Sequence, residues 1–160
     1  MELFFAMELP EYITQCMLKT DREQFGFHKD TTQTKEEIIE IVKESCLTGK
    51  LYVVYEKGIV LYFTDRSPYV LNMDSTRGPN SSIFDYTKLI KRVVKMFTEK
   101  TEIHKLETRT PFPELEILAK RCKWSLEGTH KESYQMPDGT FADELSFGII
   151  LKREGVKECH

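Results

Sequence analysis

The chain has no run of apolar residues approaching the roughly 18 to 20 that cross a bilayer, and Met1-Glu2-Leu3-Phe4-Phe5-Ala6 lacks the basic flank and cleavage site of a secretion signal. A soluble, cytoplasmic protein with no membrane partner is expected. Cysteine is sparse, and Cys16, Cys46, Cys122 and Cys159 never approach a CxxC spacing, which argues against a disulfide frame and for reduced thiols. His28, His104, His130 and His160 show no metal-ligand spacing either, so no metal site is expected. No Gly-x-Ser-x-Gly frames a serine nucleophile, which sets hydrolase readings aside. With 8 Gly and 6 Pro, collagen-like and low-complexity classes are excluded. Basic charge is not in excess: 23 Lys and Arg stand against 26 Asp and Glu, a net charge of -3, so a general nucleic-acid coat is excluded.

What the chain does have is a globular balance, 40% hydrophobic and 31% charged over 160 residues, the size of one ordinary domain. No linker or repeat interrupts it, so residues 1–153 are read as one domain and 154–160 as a short tail. Residues 2 to 8 suit a strand, with a helical reading open, and Pro10 to Lys19 suit a helix carrying Ile13, Cys16 and Met17 on one face. Thr34-Lys35-Glu36-Glu37 is a capping box, which predicts a helix with Ile38, Ile39, Ile41, Val42, Cys46 and Leu47 as its apolar stripe and Gly49 at its end. Three strands follow, Leu51 to Glu56, Ile59 to Thr64 and Tyr69 to Met73, joined by turns at Lys57-Gly58 and Asp65-Arg66-Ser67-Pro68.

A long amphipathic helix is predicted from Ile83 to Glu99, then a strand at Ile103 to Arg109, a short helix at Phe112 to Cys122 and a strand at Leu126 to Met136. Pro137-Asp138-Gly139 turns into a last strand whose Phe141, Leu145, Phe147, Ile149 and Leu151 alternate with Glu144, Ser146 and Lys152. The order β-α-α-β-β-β-α-β-α-β-β makes an α+β class, with a mixed, mostly antiparallel central sheet covered by helices on both faces.

This order resembles the GNAT family of N-acetyltransferases. The C-terminal third is most similar to the branch that includes ribosomal-protein N-acetyltransferases, through Leu118-Ala119-Lys120-Arg121-Cys122-Lys123-Trp124-Ser125-Leu126-Glu127-Gly128 and Asp138 to Gly148. Glu127-Gly128, Asp143 and Phe147-Gly148 match the branch, while Lys123-Trp124 stands where Gly-Phe is usual. The resemblance implies acetyl-CoA as acyl donor, an amine as acceptor, and direct attack in a ternary complex.

Phosphate binding needs converging backbone N–H groups at a helix start, with small residues that let the anion approach. The family's Gln/Arg-x-x-Gly-x-Gly/Ala loop corresponds here to Arg77-Gly78-Pro79-Asn80-Ser81-Ser82. Pro79 removes one donor, and an ordinary loop with Ser81 or Ser82 capping the next helix stays open beside the phosphate reading. The resemblance places Leu71 and Met73 along the pantetheine arm and Arg77, Gly78, Asn80, Ser81 and Ser82 around the pyrophosphate.

Acyl transfer to an amine calls for a base and, in many family members, a Tyr as acid on the helix after the cleft strand. Asp74 and Glu107 are the candidate bases; Pro111 to Trp124 has no Tyr, leaving Tyr134 or Cys122 as substitutes. Two other readings stay open. One is a catalytically silent GNAT-like subunit of a larger assembly or homo-oligomer, for example in a phage virion, docking through Phe4, Phe5 or Phe25-Gly26-Phe27. The other is a nucleic-acid contact through Lys88, Lys91, Arg92 and Lys95.

Overall fold

The computed structural model describes residues 2–5, 11, 15, 34–47, 51–77, 81–112, 114–136 and 138–152. These make seven strands and three helices in the order β1 (Glu2–Phe5), α1 (Lys35–Leu47), β2 (Leu51–Glu56), β3 (Ile59–Ser67), β4 (Val70–Arg77), α2 (Ile83–Lys100), β5 (Lys105–Thr110), α3 (Glu114–Arg121), β6 (Ser125–Gln135) and β7 (Phe141–Ile150). The expected mixed α+β architecture is present. The expected helix over 10–19 lies outside the described residues apart from Glu11 and Gln15, which are helical and joined by a 2.7 Å side-chain hydrogen bond. Gly78, Pro79, Asn80, the side chain of Arg77, the aromatic side chains at positions 4, 5, 25 and 27, and the 154–160 tail also lie outside them.

The capping box forms as written: Glu37 N–H donates to Thr34 Oγ1 at 3.2 Å, and Thr34 N–H to Glu37 Oε2 at 2.7 Å. The stripe it launches is narrower than expected, because Ile39 and Val42 are buried whereas Ile41 is 48% exposed. Between β2 and β3 the two-residue turn holds both Lys57 and Gly58 at positive φ, 50° and 76°, which matches the twist of the paired strands.

All seven strands join one sheet in the order β1-β2-β3-β4-β5-β7-β6. Among the described strands, β4 and β5 are the one parallel pair, and α2 makes the crossover between them. One face of the sheet presents Leu61, Phe63, Leu71, Met73, Leu106 and Phe147 to Leu89, Ile90, Val93 and Phe97 of α2 and Leu118 of α3. The rings of Phe63 and Phe97 meet with centroids 5.0 Å apart. Burial of each such side chain contributes about 1.5–3 kcal/mol, so this layer holds α2 firmly against the strands it connects. The register turns Val53, Val60 and Tyr62, all buried, to the other face, against which α1 packs through β1 and β2.

Three expectations change. β3 continues through Ser67, because Asp65 pairs with Leu71 and Ser67 with Val70, leaving Arg66 as a bulge and a turn of only Pro68-Tyr69. β4 runs on to Arg77, since the long β3 pairs with Asp74, Ser75, Thr76 and Arg77 despite the weak strand propensity of Asp74, which therefore lies within a strand. In β7 the alternation fails at its start: Phe141 is 61% exposed and Glu144 only 4% exposed. Phe141 sits next to the hairpin turn, opposite Gln135, while Glu144 turns inward to accept from Ser133 Oγ at 2.9 Å.

Candidate active site

β4 and β5 stay paired for only three residues. Val70, Leu71 and Asn72 face Lys105, Leu106 and Glu107; beyond that point β4 follows β3 and β5 follows β7, so the two strands part and the sheet opens. A cavity of about 950 Å³ occupies this opening, a volume within the roughly 300–1,000 Å³ of small-molecule sites. On the helical side it runs between Ile83, Tyr86 and Ile90 of α2 and Leu115 and Leu118 of α3, with Cys122 just past the end of that helix. Because side chains alternate along a strand, its other mouth lies on the opposite face, lined by Thr64, Arg66, Asn72, Asp74 and Arg109. The cavity therefore passes through the sheet.

The helical side is lined mainly by apolar side chains, with Thr108, Thr110 and Arg121 among them and two further polar features of note. Tyr86 Oη and Ser75 Oγ share a hydrogen bond of 2.7 Å. The indole N–H of Trp124, a residue of the cavity wall that is 5% exposed, is buried with no hydrogen-bond partner, the kind of orphan donor that native structures rarely leave without a reason. Trp124 follows a Schellman cap at the end of α3, in which Lys123 N–H donates to Lys120 O and Trp124 N–H to Ala119 O. Lys123 adopts φ 64° there, at the position where the resembling branch carries Gly. Burial pushes the Cys122 thiol above its ordinary range, against the lowering influence of Lys91.

Ser82 is the N-cap of α2: its Oγ accepts from Asp85 N–H at 3.0 Å and donates to Asp85 Oδ2 at 2.6 Å. The hydroxyl is thus committed to the cap, and any anion contact at Ser82 falls to its backbone. Asp85 also takes Lys57 Nζ at 3.2 Å, and these partners, Ser82 first, hold its carboxyl below the usual range.

The two candidate bases are in different settings. Asp74 lines the cavity and accepts Asn72 Nδ2 on Oδ2 at 2.8 Å. Glu107 is not among the lining residues; it meets Arg66 Nε at 2.9 Å and Lys105 Nζ at 3.3 Å. Lys105 in turn reaches Glu127 at 2.7 Å, and these carboxylates, Glu127 first, raise its pKa against the effect of burial. Tyr134 lines the cavity with its ring edge against Phe112, centroids 6.4 Å apart. Leu71 lies inside the β4–β5 ladder, whereas Met73 is the first β4 residue past the parting point.

Sequence reasoning missed Arg66, Arg109, Tyr86, Glu144 and the Trp124 indole as cavity residues. Arg109 was within reach, standing two positions after Glu107 and so on the same strand face; Arg66 was not, because its bulge is created by pairing. Of the basic row on α2, Lys88 lies over the Phe84 ring at 4.2 Å, Arg92 bonds Glu56, and Lys95 pairs with Glu99. No group of three or more metal-ligating side chains occurs, and no helix is long and apolar enough to cross a membrane, among the described residues.

No protein-family model and no curated protein sequence matches the chain. Solved structures do. Spermidine N-acetyltransferase from Vibrio cholerae in complex with CoA and spermine superposes with a TM-score of 0.73 at 14% identity, over 94% of this chain and 95% of that one. Ribosomal-protein-alanine N-acetyltransferase from Brucella melitensis gives 0.70 at 14% identity, over 94% and 99%. A GNAT-family acetyltransferase from Bacillus anthracis gives 0.70 at 13% identity, over 91% and 93%. The chain has the GNAT acetyltransferase fold.

Proposed function

We propose that this protein is an acetyl-CoA-dependent N-acetyltransferase that acylates an amine by direct attack in a ternary complex. The observation that carries the reading is the parting of β4 and β5 after Asn72 and Glu107, which opens a cavity through the sheet with one mouth between two helices and the other on the opposite face. Donor and acceptor can thus enter from different faces and meet at the slit, where proximity alone is worth a large part of the barrier.

The cavity suits a coenzyme A thioester on three counts. Its mainly apolar walls between α2 and α3 suit the methylene and methyl groups of a pantetheine arm; Met73 and the residues after it have no strand partner on the β5 side and so can meet its amides; and the orphan Trp124 N–H is a donor in want of an acceptor. The main-chain contact is assigned to Met73 ahead of Leu71. Arg77, Gly78, Asn80, Ser81 and Ser82 are proposed to surround the pyrophosphate, with Lys57 offsetting the charge of Asp85 beside them.

When bound, the thioester supplies an activated acyl group whose thiolate leaves at a pKa of about 8.5, so a strong proton donor from the chain is not obligatory. That is consistent with a short helix lacking Tyr, and it leaves Tyr134 as a wall residue. Asp74 is proposed as the base that takes the proton from an incoming ammonium, which its place in the cavity lining and its hydrogen bond from Asn72 support. Glu107 is assigned a positioning role through Arg66.

Calorimetric titration and thermal melts with CoA and acetyl-CoA test the reading. A ligand at about 100 times its Kd adds about 2.7 kcal/mol of stability, so saturating coenzyme raises the Tm by several degrees. No heat and no shift at millimolar coenzyme would overturn it.

A further inference from the structure

The mouth on the α1 face carries charge of both signs in a specific arrangement. Asp74 and Arg109 each stand two residues beyond the last β4–β5 pair, Asn72 with Glu107, and on the same face of the sheet. In a closed ladder they would be opposed across a strand spacing of about 4.8 Å; the parting of the strands sets them on opposite lips of the slit, both lining the cavity. Arg109 is exposed and has no ion-pair partner among the described residues.

A second guanidinium joins it. Arg66 is the extra residue of the β3 bulge, a device that re-aims a side chain. Its Nε is held by Glu107 while the side chain remains about half exposed and lines the same mouth. Glu107 is itself anchored by Lys105, which Glu127 holds from the other side. The Arg66 charge is thereby balanced, and Arg109 stands across the slit from Asp74, with the buried Glu144 two residues along β7 from its partner Ser146 lining the same cavity.

We infer that this mouth is an acceptor site for an amine that also carries a carboxylate, an amino-acid-like zwitterion, with Arg109 and Arg66 taking the carboxylate and Asp74 the amine. Guanidinium groups bind carboxylates through paired, charge-assisted hydrogen bonds that position as well as attract. A diamine has nothing to offer the Arg109 guanidinium, so the site favours the carboxylate-bearing amine over it. The inference rests on the transferase reading above.

The test compares acetyl transfer by the full chain to lysine and to cadaverine, its decarboxylated counterpart, and likewise to phenylalanine and phenethylamine. Expected is a kcat/KM at least about tenfold higher for each carboxylate-bearing partner, since one charged hydrogen bond is worth about 1.5–3 kcal/mol. Arg109→Gln lowers these ratios severalfold, chiefly through KM for the carboxylate-bearing acceptor, and keeps the coenzyme-induced Tm shift, which reports that the variant is folded. Wild-type ratios at or below one, or ratios unchanged in Arg109→Gln, overturn the inference. Coenzyme binding with transfer to the decarboxylated amines alone, or to none of the four, overturns it and spares the coenzyme site. Loss of both coenzyme binding and transfer overturns the transferase reading as well.

Discussion

The carboxylate of Glu127 lies where a side chain on Gly148 would be: a Cβ built there comes within 2.4 Å of Glu127 Oε1. Glycine at this buried position lets Glu127 cross the neighbouring strand and reach Lys105, and through Lys105 the chain continues to Glu107 and Arg66. Gly148 and Glu127 thus act together to anchor the ion-pair chain that ends at Arg66 beside the cavity. Gly148→Ala displaces the carboxylate and is expected to lower stability by about 1 kcal/mol. In a Glu127→Ala background the same change is expected to cost nothing. Chemical denaturation of the four proteins of this double-mutant cycle checks it, and equal costs in both backgrounds refute the coupling.

Lys123 adopts a left-handed conformation at the end of α3 where no side chain is needed to make the cap. Lys123→Gly keeps both cap hydrogen bonds and removes the Cβ penalty, so it is expected to stabilise by about 0.5–1 kcal/mol. The readout is a Tm raised by about 1–4 °C, with coenzyme affinity unchanged.

Asp74→Asn preserves size and the ability to bond Asn72 but removes the proposed base. We expect kcat/KM for the amine to fall by about 10²-fold or more, with coenzyme affinity unchanged in calorimetry. Activity should be partly restored at high pH, where the acceptor amine is neutral without help. A pH profile identical in shape to wild type would argue for another base.

The Ser82 cap makes the start of α2 sensitive to acid. Asp85 has a folded pKa lowered by its bonds to Ser82 and Lys57, so its contribution to stability is full above its unfolded value of about 3.9 and is lost as pH falls through the lower folded value. Ser82→Ala is expected to cost about 1 kcal/mol at neutral pH and to flatten this part of the acid dependence. Denaturation midpoints measured from neutral pH into the acid range distinguish the two slopes.

Cys122 is buried against the cavity, and burial pushes its thiol above the ordinary range, so it is expected to react slowly with alkylating agents in the native state. An unfolded thiol ionises near pH 8.5 and a folded one only above that, so this contribution to stability is complete below that pH and declines as pH rises past it. Peptide mass spectrometry after brief iodoacetamide treatment at mildly alkaline pH should find Cys122 unmodified in the native protein and alkylated after denaturation.

Much of the fold was legible because its signals are local. The Thr34 to Glu37 box, the Lys57-Gly58 turn and the apolar stripe of α2 each depend on residues within one turn of one another and form as expected, and of the two serines open as caps Ser82 is the one used. The strand ends were not legible where long pairing overrides propensity, as it does from Asp74 to Arg77, or where a bulge appears, as at Arg66. The burial of Glu144 was hidden for the same reason, since alternation along β7 does not reveal that a neighbouring Ser133 and a cavity await it.

Local patterning of the chain by itself determined that strands and helices follow one another in this order, because periodicity, caps and turn residues act over a few positions. Only the tertiary structure decided that β4 and β5 part after three pairs, that Asp74 lines the opening while Glu107 is bound up with Arg66 and Lys105, and that two arginines meet at one mouth. Those relationships join residues tens of positions apart, and they exist only once α2 has been packed across the sheet and its apolar face has been removed from water.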